Sequence, residues 1–263
     1  MTRPDWEKRI GRAGELAAQY PAAAQVLGFY GEIVALQKQI FDAAAADDLH
    51  ADPMRPLAKQ LVAPAALKRF PALVELVEKK GPAGLAQAAR ELRQQGPDAW
   101  RVLLDTQPDG EHTDVAHQFF VRACLQPVAE YLAFGSKVHF AGYSGSRCPV
   151  CSGKPQLGVL RQEGDGGKRS LICSGCATEW DFRRILCPNC AEQDHANLPR
   201  FSADEFPHVR VEACETCMRY LKSVDLTING LAVPVVDEIA AAPMDLWASE
   251  HGYQKIELNL MGL

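Results

Sequence analysis

Eight of the nine cysteines of this chain fall in four C-x-x-C pairs, all between residues 148 and 217. The pairs are Cys148 and Cys151, Cys173 and Cys176, Cys187 and Cys190, and Cys214 and Cys217; Cys124 stands apart. Thiols at this density are drawn into disulfides, a dithiol redox centre or a metal site, so no other feature limits the fold as strongly. The amino terminus, "MTRPDWEKRIGRAGEL", carries charges throughout and no apolar export segment. The expected compartment is therefore the cytoplasm, whose reducing conditions disfavour structural disulfides. A thioredoxin-like dithiol needs one pair at a helix start after a strand, which four clustered pairs do not fit. Metal is the expected partner.

The pairs repeat. "CPVC" is followed after 21 residues by "CSGC", and "CPNC" after 23 residues by "CETC". Cys148 to Cys187 is 39 positions, and Cys173 to Cys214 is 41. Proline follows the leading cysteine of each first pair, and an aromatic follows each second pair, Trp180 in one unit and Tyr220 in the other. This is a tandem duplication of one small module. Two C-x-x-C pairs about twenty residues apart match the four-cysteine spacing of zinc ribbons. The two-residue spacer turns both sulfurs of a pair toward one point while backbone amides hydrogen-bond to them. Two such knuckles on facing hairpins complete a tetrahedron of thiolates. A module this small has little core, and a bound metal contributes roughly 10–16 kcal/mol of apparent free energy to its folding. The expected ligand sets are Cys148, Cys151, Cys173 and Cys176 for one ion, and Cys187, Cys190, Cys214 and Cys217 for a second. Interleaved ligation, with the first and third pairs sharing an ion, is the alternative that the matched order of the repeats argues against. Iron and zinc both accept four thiolates, and the spacing does not choose between them.

The 263 residues suffice for one to three domains with a real core. Residues 1 to about 135 read as helical and rich in alanine. In "PAAAQVLGFYGEIVALQKQIFDAAAA", Val26, Leu27, Tyr30, Ile33, Val34, Ile40 and Phe41 fall on one stripe at a period near 3.6, after Pro21. "DDLHADPMRP" breaks the pattern as a loop. Further helices are expected in "ALKRFPALVELVEKKG", closed by Gly81, and in "PAGLAQAARELRQQG", between Pro82 and Gly96. "DTQPDGEHTD" is the next loop, and a last helix in "DVAHQFFVRACLQPVAEYLAFG" is expected to bend or break near Pro127. "GSKVHFAGYSGSR" is rich in glycine and serine and reads as a connection. Beyond it come short alternating stretches: "TEWDFRR", with Trp180 and Phe182 on one face, then "HVRVEA" and "YLKSVD". The tail offers a strand in "DLTIN", a helix around "VVDEIAAAPMDLWASEHG", and "YQKIELNLMGL". The expected fold is α+β, with a helical domain (1–140), two rubredoxin-like modules (146–186 and 187–226) and a carboxy-terminal tail (227–263).

Other signals fall away. "EGDGGKRS" lacks the first glycine of a phosphate loop and has Arg169 where serine or threonine should follow the lysine; it reads as a hairpin turn. His112 and His117 do not form H-E-x-x-H. His195 and His208 lie inside the second module as substitute ligands, but four cysteines are already at hand. Cys124 shares a stripe with Phe120, Val121 and Val128 and reads as core. Arg183 and Arg184 lie far from the amino terminus and form no export signal. No nucleophile stands at recognisable spacing from a base, so no enzyme is expected.

With both halves in view, the chain resembles the formate dehydrogenase accessory protein family, FdhE. The resemblance rests on "CPVCSGKP", "LICSGCATEW", "CPNC", "VEACETCMRYLKSVD" and "MDLWASEHGY…NLMGL", which span residues 148 to 263. The chain departs at Ser152 and Gly153, where the family's first knuckle usually continues with glycine and then a small residue. The resemblance implies a cytoplasmic assembly factor acting on the catalytic subunit of a respiratory formate dehydrogenase, a molybdenum enzyme exported by the twin-arginine route. It also implies rubredoxin-type binding of iron by the eight cysteines, with zinc as the alternative metal. Two other classes compete: a rubredoxin-like electron carrier and a zinc-ribbon nucleic-acid-binding protein. The latter is disfavoured by an overall charge of −5 and by residues 144 to 226, where 11 Lys and Arg face 11 Asp and Glu.

Overall fold

The computed structural model describes residues 3–52, 54–105, 114–136, 138, 140–164 and 166–263. Its first half is helical: α1 (Trp6–Gln19), α2 (Ala24–Ala46), α3 (Pro64–Lys80), α4 (Ala83–Gln95), α5 (Pro97–Asp105) and α6 (Val115–Phe134). The expected stripe of α2 is buried from Leu27 to Phe41, with Val26 half-buried. Phe29 and Leu36 are buried as well, so α2 is a central helix with two working faces. Ile33 and Ile40 enter one apolar cluster with α3 and α6, while Tyr30, Val34 and Phe41 enter another with α1.

Helix α6 runs through Pro127 without a break. Proline cannot donate to the carbonyl four residues back, Ala123 O. The buried Gln37 side chain of α2 donates to that oxygen instead, at 3.1 Å. Helix α5, a nine-residue segment, has no counterpart among the expected helices. The expected loop at 105–114 lies almost wholly outside the described residues, as does His112.

The second half is one sheet. It comprises β1 (Pro155–Glu163), β2 (Gly166–Cys173), β3 (Glu179–Asp181), β4 (Arg200–Ser202), β5 (Val209–Cys214) and β6 (Arg219–Asp225), followed by α7 (Pro234–Ala240), α8 (Ala242–Glu250) and β7 (Gln254–Lys255). Strand order is β3-β2-β1-β6-β5-β4. By the cysteine repeat, β4, β5 and β6 are the copies of β1, β2 and β3, so the duplicated units stand head to tail. Neighbours within a unit are antiparallel, whereas the junction of β1 with β6 is parallel, from Leu157 opposite Lys222 to Leu160 opposite Asp225. Gly158 makes the junction close: a Cβ there would lie 2.2 Å from Ser223 Oγ. The hairpin expected at "EGDGGKRS" joins β1 to β2, with Glu163 opposite Gly166; Asp165 is outside the described residues.

Two readings of the tail need correction. "DLTIN" is a turn, because Asp225 Oδ1 accepts from Thr227 N and Thr227 Oγ1, at 2.9 and 2.6 Å, and folds the chain back after β6. "VVDEIAAAPMDLWASEHG" forms two helices, since Pro243 is suited to the first turn of a helix but not to its interior. Helix α7 buries Val236, Ile239 and Ala240 against Trp6, Leu16 and Phe41 of the helical layer. Arg12 of α1 holds Asp237 of α7 with Nη2 at 2.6 Å and Nε at 3.1 Å. Behind β6, Lys222 and Lys255 are buried with Glu238 and Asp245, two cations against two carboxylates, and Tyr220 Oη donates to Asp245 at 2.8 Å. Pairing offsets part of the desolvation cost each charge would carry alone, though burial still pushes Lys222 down.

Candidate metal centres

The eight paired cysteines form two groups, and in each group all four sulfurs lie within 4.8 Å of one another. Cys148, Cys151, Cys173 and Cys176 form the first; Cys187, Cys190, Cys214 and Cys217 form the second. The grouping is sequential, not interleaved. Neither His195 nor His208 joins a group. His195 is exposed in a short 3-10 turn, and His208 is buried with Nε2 2.8 Å from Asp237 Oδ1. Cys124 is core, its Sγ 3.5 Å from Ala66 O, and burial pushes its thiol up.

Three of the four knuckles share the same local bonds. Ser152 N donates to Cys148 O and Cys148 N to Gly153 O, both at 2.9 Å. Ala177 with Cys173, and Ala191 with Cys187, repeat the pattern. The amides of Val150, Gly175 and Asn189 point at the sulfur two residues earlier, at 3.3–3.4 Å. The residue after each second cysteine is left-handed: Ser152 (φ 63), Ala177 (φ 51), Ala191 (φ 64) and Met218 (φ 53). That conformation closes the knuckle, and a non-glycine residue holds it at a cost of about 1–2 kcal/mol. None of the four is glycine, so nothing in the residue types signals it.

The geometry fits a tetrahedral ion. Sulfurs ~2.3 Å from a central zinc stand ~3.8 Å from one another. The recorded edges are 3.6 and 3.3 Å in the first group and 3.8 and 3.6 Å in the second. In the first group, hydrogen bonds from Cys151, Cys173 and Cys176 pull Cys148 down, while Cys173 and Cys176 are pushed up, chiefly by their bonds to Cys148. In the second, burial pushes Cys187 and Cys190 up; on Cys217 it is outweighed by bonds from Asn189 and Cys190, and that thiol falls. Facing thiols share protons and resist joint ionisation, whereas a bound dication favours the thiolate at every ligand.

Arginines gather beside the second group. Arg169, Arg184, Arg200 and Arg219 line a cleft of about 20 Å³ with Glu212, Cys187 and Cys214. Arg169 is buried and paired with Glu212 at 2.6 Å, and Arg200 is pushed down by burial and by the neighbouring guanidinium charges. Four thiolates around a dication carry a net charge of about −2, which this cluster is placed to offset. In sequence, Arg169 falls in an expected hairpin turn and Arg184 in a twin arginine, and neither Arg200 nor Arg219 stands out.

Helices docked on one sheet that carries two tandem four-cysteine ribbons define a class of paired-ribbon, metal-binding proteins. Residues 147–184 match "FdhE, central domain" and residues 185–261 match "FdhE, C-terminal domain". A "Protein FdhE homolog" from Aquifex aeolicus is 32% identical over 197 residues, covering 74% of this chain and 70% of that protein. The chain belongs to the FdhE family. A homologue from Pseudomonas aeruginosa is 33% identical over 149 residues, 54% of this chain and 48% of the relative. The crystal structure of the FdhE protein from Pseudomonas aeruginosa shares the fold, with a TM-score of 0.70 at 23% identity over 99% of this chain and 97% of that one. Among the described residues no helix is long and apolar enough to cross a membrane.

Proposed function

We propose that this chain is a cytoplasmic accessory protein for formate dehydrogenase. It binds the catalytic subunit before export or activation and turns over no substrate of its own. The observation that carries the reading is membership of the FdhE family joined to two intact four-cysteine groups on a sheet braced by the helices. Cys148, Cys151, Cys173 and Cys176 hold one metal ion; Cys187, Cys190, Cys214 and Cys217 hold another. Iron is the first choice on family resemblance, and zinc fits the same sulfurs. A bound ion supplies the cross-link that fixes each pair of knuckles. The chain's own amides orient the sulfurs, and its arginines offset their charge. Residues 1–140, 146–186, 187–226 and 227–263 act as helical domain, first module, second module and bracing tail.

The test begins with elemental analysis of protein purified without air, which should give two ions per chain. Cys148→Ser should empty the first group and leave the second filled. The catalytic subunit should be captured by the intact protein and lost from protein stripped of metal. Failure of the intact protein to capture it would remove the accessory reading. Undiminished capture after stripping would assign recognition to the helices.

A further inference from the structure

The two cysteine groups differ in what surrounds them. Cys148, Cys173 and Cys176 are buried in the apolar core that holds Ile33, Phe70 and Phe120 of the helical layer, and Cys151 packs against it. Leu57, Val121 and Leu125 close over Cys151, Gly153 and Gly175, leaving a cavity of about 100 Å³. An incoming ligand there meets one half-buried sulfur, Cys151, while the other three are held in the core shared with the helices.

In the second group Cys187 and Cys214 are buried, Cys217 is half-buried and Cys190 is exposed. Its sulfurs belong to none of the apolar clusters among the described residues. Its knuckles are also tied together without metal. Glu192 accepts from Thr216 Oγ1 at 2.5 Å and from Asn197 Nδ2 at 3.3 Å, and Glu215 N donates to Asn197 O at 2.9 Å. The strands behind it keep a core of their own, in which Phe206, Val211 and Tyr220 meet Met244 and Tyr253.

We propose that the second group, Cys187, Cys190, Cys214 and Cys217, is the exchangeable metal site of this chain, and that the first group is its permanent one. The exchanged ligand is a thiolate-preferring divalent transition-metal ion. Exchange would begin at Cys190, the exposed ligand, which an incoming chelator or ion would meet first, before half-buried Cys217 and buried Cys187 and Cys214. No electron moves. Glu192 and the core beneath keep the emptied knuckles facing each other, so the site refills without refolding. In the first group, release of the three buried sulfurs, Cys148, Cys173 and Cys176, requires local opening of the core they share with the helices, a slower event.

The proposal rests on reading both groups as metal sites, and its test separates the two failures. The full chain loaded with zinc is mixed with excess 4-(2-pyridylazo)resorcinol. Release should show two phases of one equivalent each, differing in rate by about tenfold or more. Iodoacetamide added at the end of the fast phase, followed by peptide mass spectrometry, should label residues 187, 190, 214 and 217 and spare 148, 151, 173 and 176. Far-UV circular dichroism should stay unchanged through the fast phase. Two equivalents leaving in one phase, or label on the first group, would overturn the proposal while leaving the metal reading intact. Uptake of fewer than two equivalents would overturn both.

Discussion

Asp237→Ala should destabilise the protein by about 3–5 kcal/mol, the range for a buried ion pair broken from one side. The figure follows from what the carboxylate holds. Asp237 is 1% exposed, and it accepts from Arg12 on α1, from His208 ahead of β5 and from Val233 N, at 2.6 to 3.1 Å. A carboxylate only accepts, so His208 Nε2 carries the proton in this contact. Alanine would leave the Arg12 guanidinium and an imidazole donor facing apolar surface, and would loosen α1 from α7. The same arginine supplies the control. Its other partner, Glu15, lies 3.1 Å away but is 67% exposed, so Glu15→Ala should cost no more than about 1 kcal/mol. Urea unfolding of metal-loaded protein, followed by the fluorescence of the tryptophans and by far-UV circular dichroism, measures both. Equal losses in the two variants, or a loss below about 1 kcal/mol for Asp237→Ala, would refute the reasoning.

Three further outcomes are expected. Asp237, Glu212 and Glu238 all sit below the usual carboxylate range, because burial, which acts upward, is outweighed by His208 and Arg12, by Arg169 and Arg210, and by Lys255 and Lys222 respectively. Depressed folded-state values give stability that is present above about pH 4 and lost as pH falls through them. Urea midpoints should therefore drop on acidification, and less steeply in Asp237→Asn. Ala191→Gly should raise stability by about 1 kcal/mol, since it relieves a left-handed alanine, and Ala191→Val should lower it; thermal unfolding reads the sign. Gln37→Leu should cost about 1–3 kcal/mol in urea unfolding, because it leaves Ala123 O without a donor inside the core.

Which cysteines come together was legible because a C-x-x-C knuckle is local chemistry and the repeat order paired them. Long periodic helices were legible for a similar reason: the stripe of α2 states which side is buried. Contacts made by distant residues were not. In "YLKSVD" alternation puts Lys222 on the face of Tyr220 and Val224, where a lysine's charge is unexpected, and Lys222 and Lys255 of "YQKIELNLMGL" are both buried beside Glu238. The continuity of α6 depended on Gln37, 86 positions away from the carbonyl it satisfies. Nothing in the strand patterns says that β1 and β6 meet, since edge pairing uses backbone groups that every residue carries.

That junction has a consequence for the duplication itself. Had the two units met about a twofold axis, β1 would have paired with its own copy, antiparallel, and the two ribbons would have had interchangeable neighbourhoods. The parallel pairing of β1 with β6 is instead the mark of a translation. A translated pair always has a leading and a trailing member. In this chain the first unit's cysteines lie in the core shared with the helical layer, while the second unit presents Cys190 to solvent. The duplicated modules thus occupy two unequal settings, an inner metal group and an outer one, although their ligand patterns are the same.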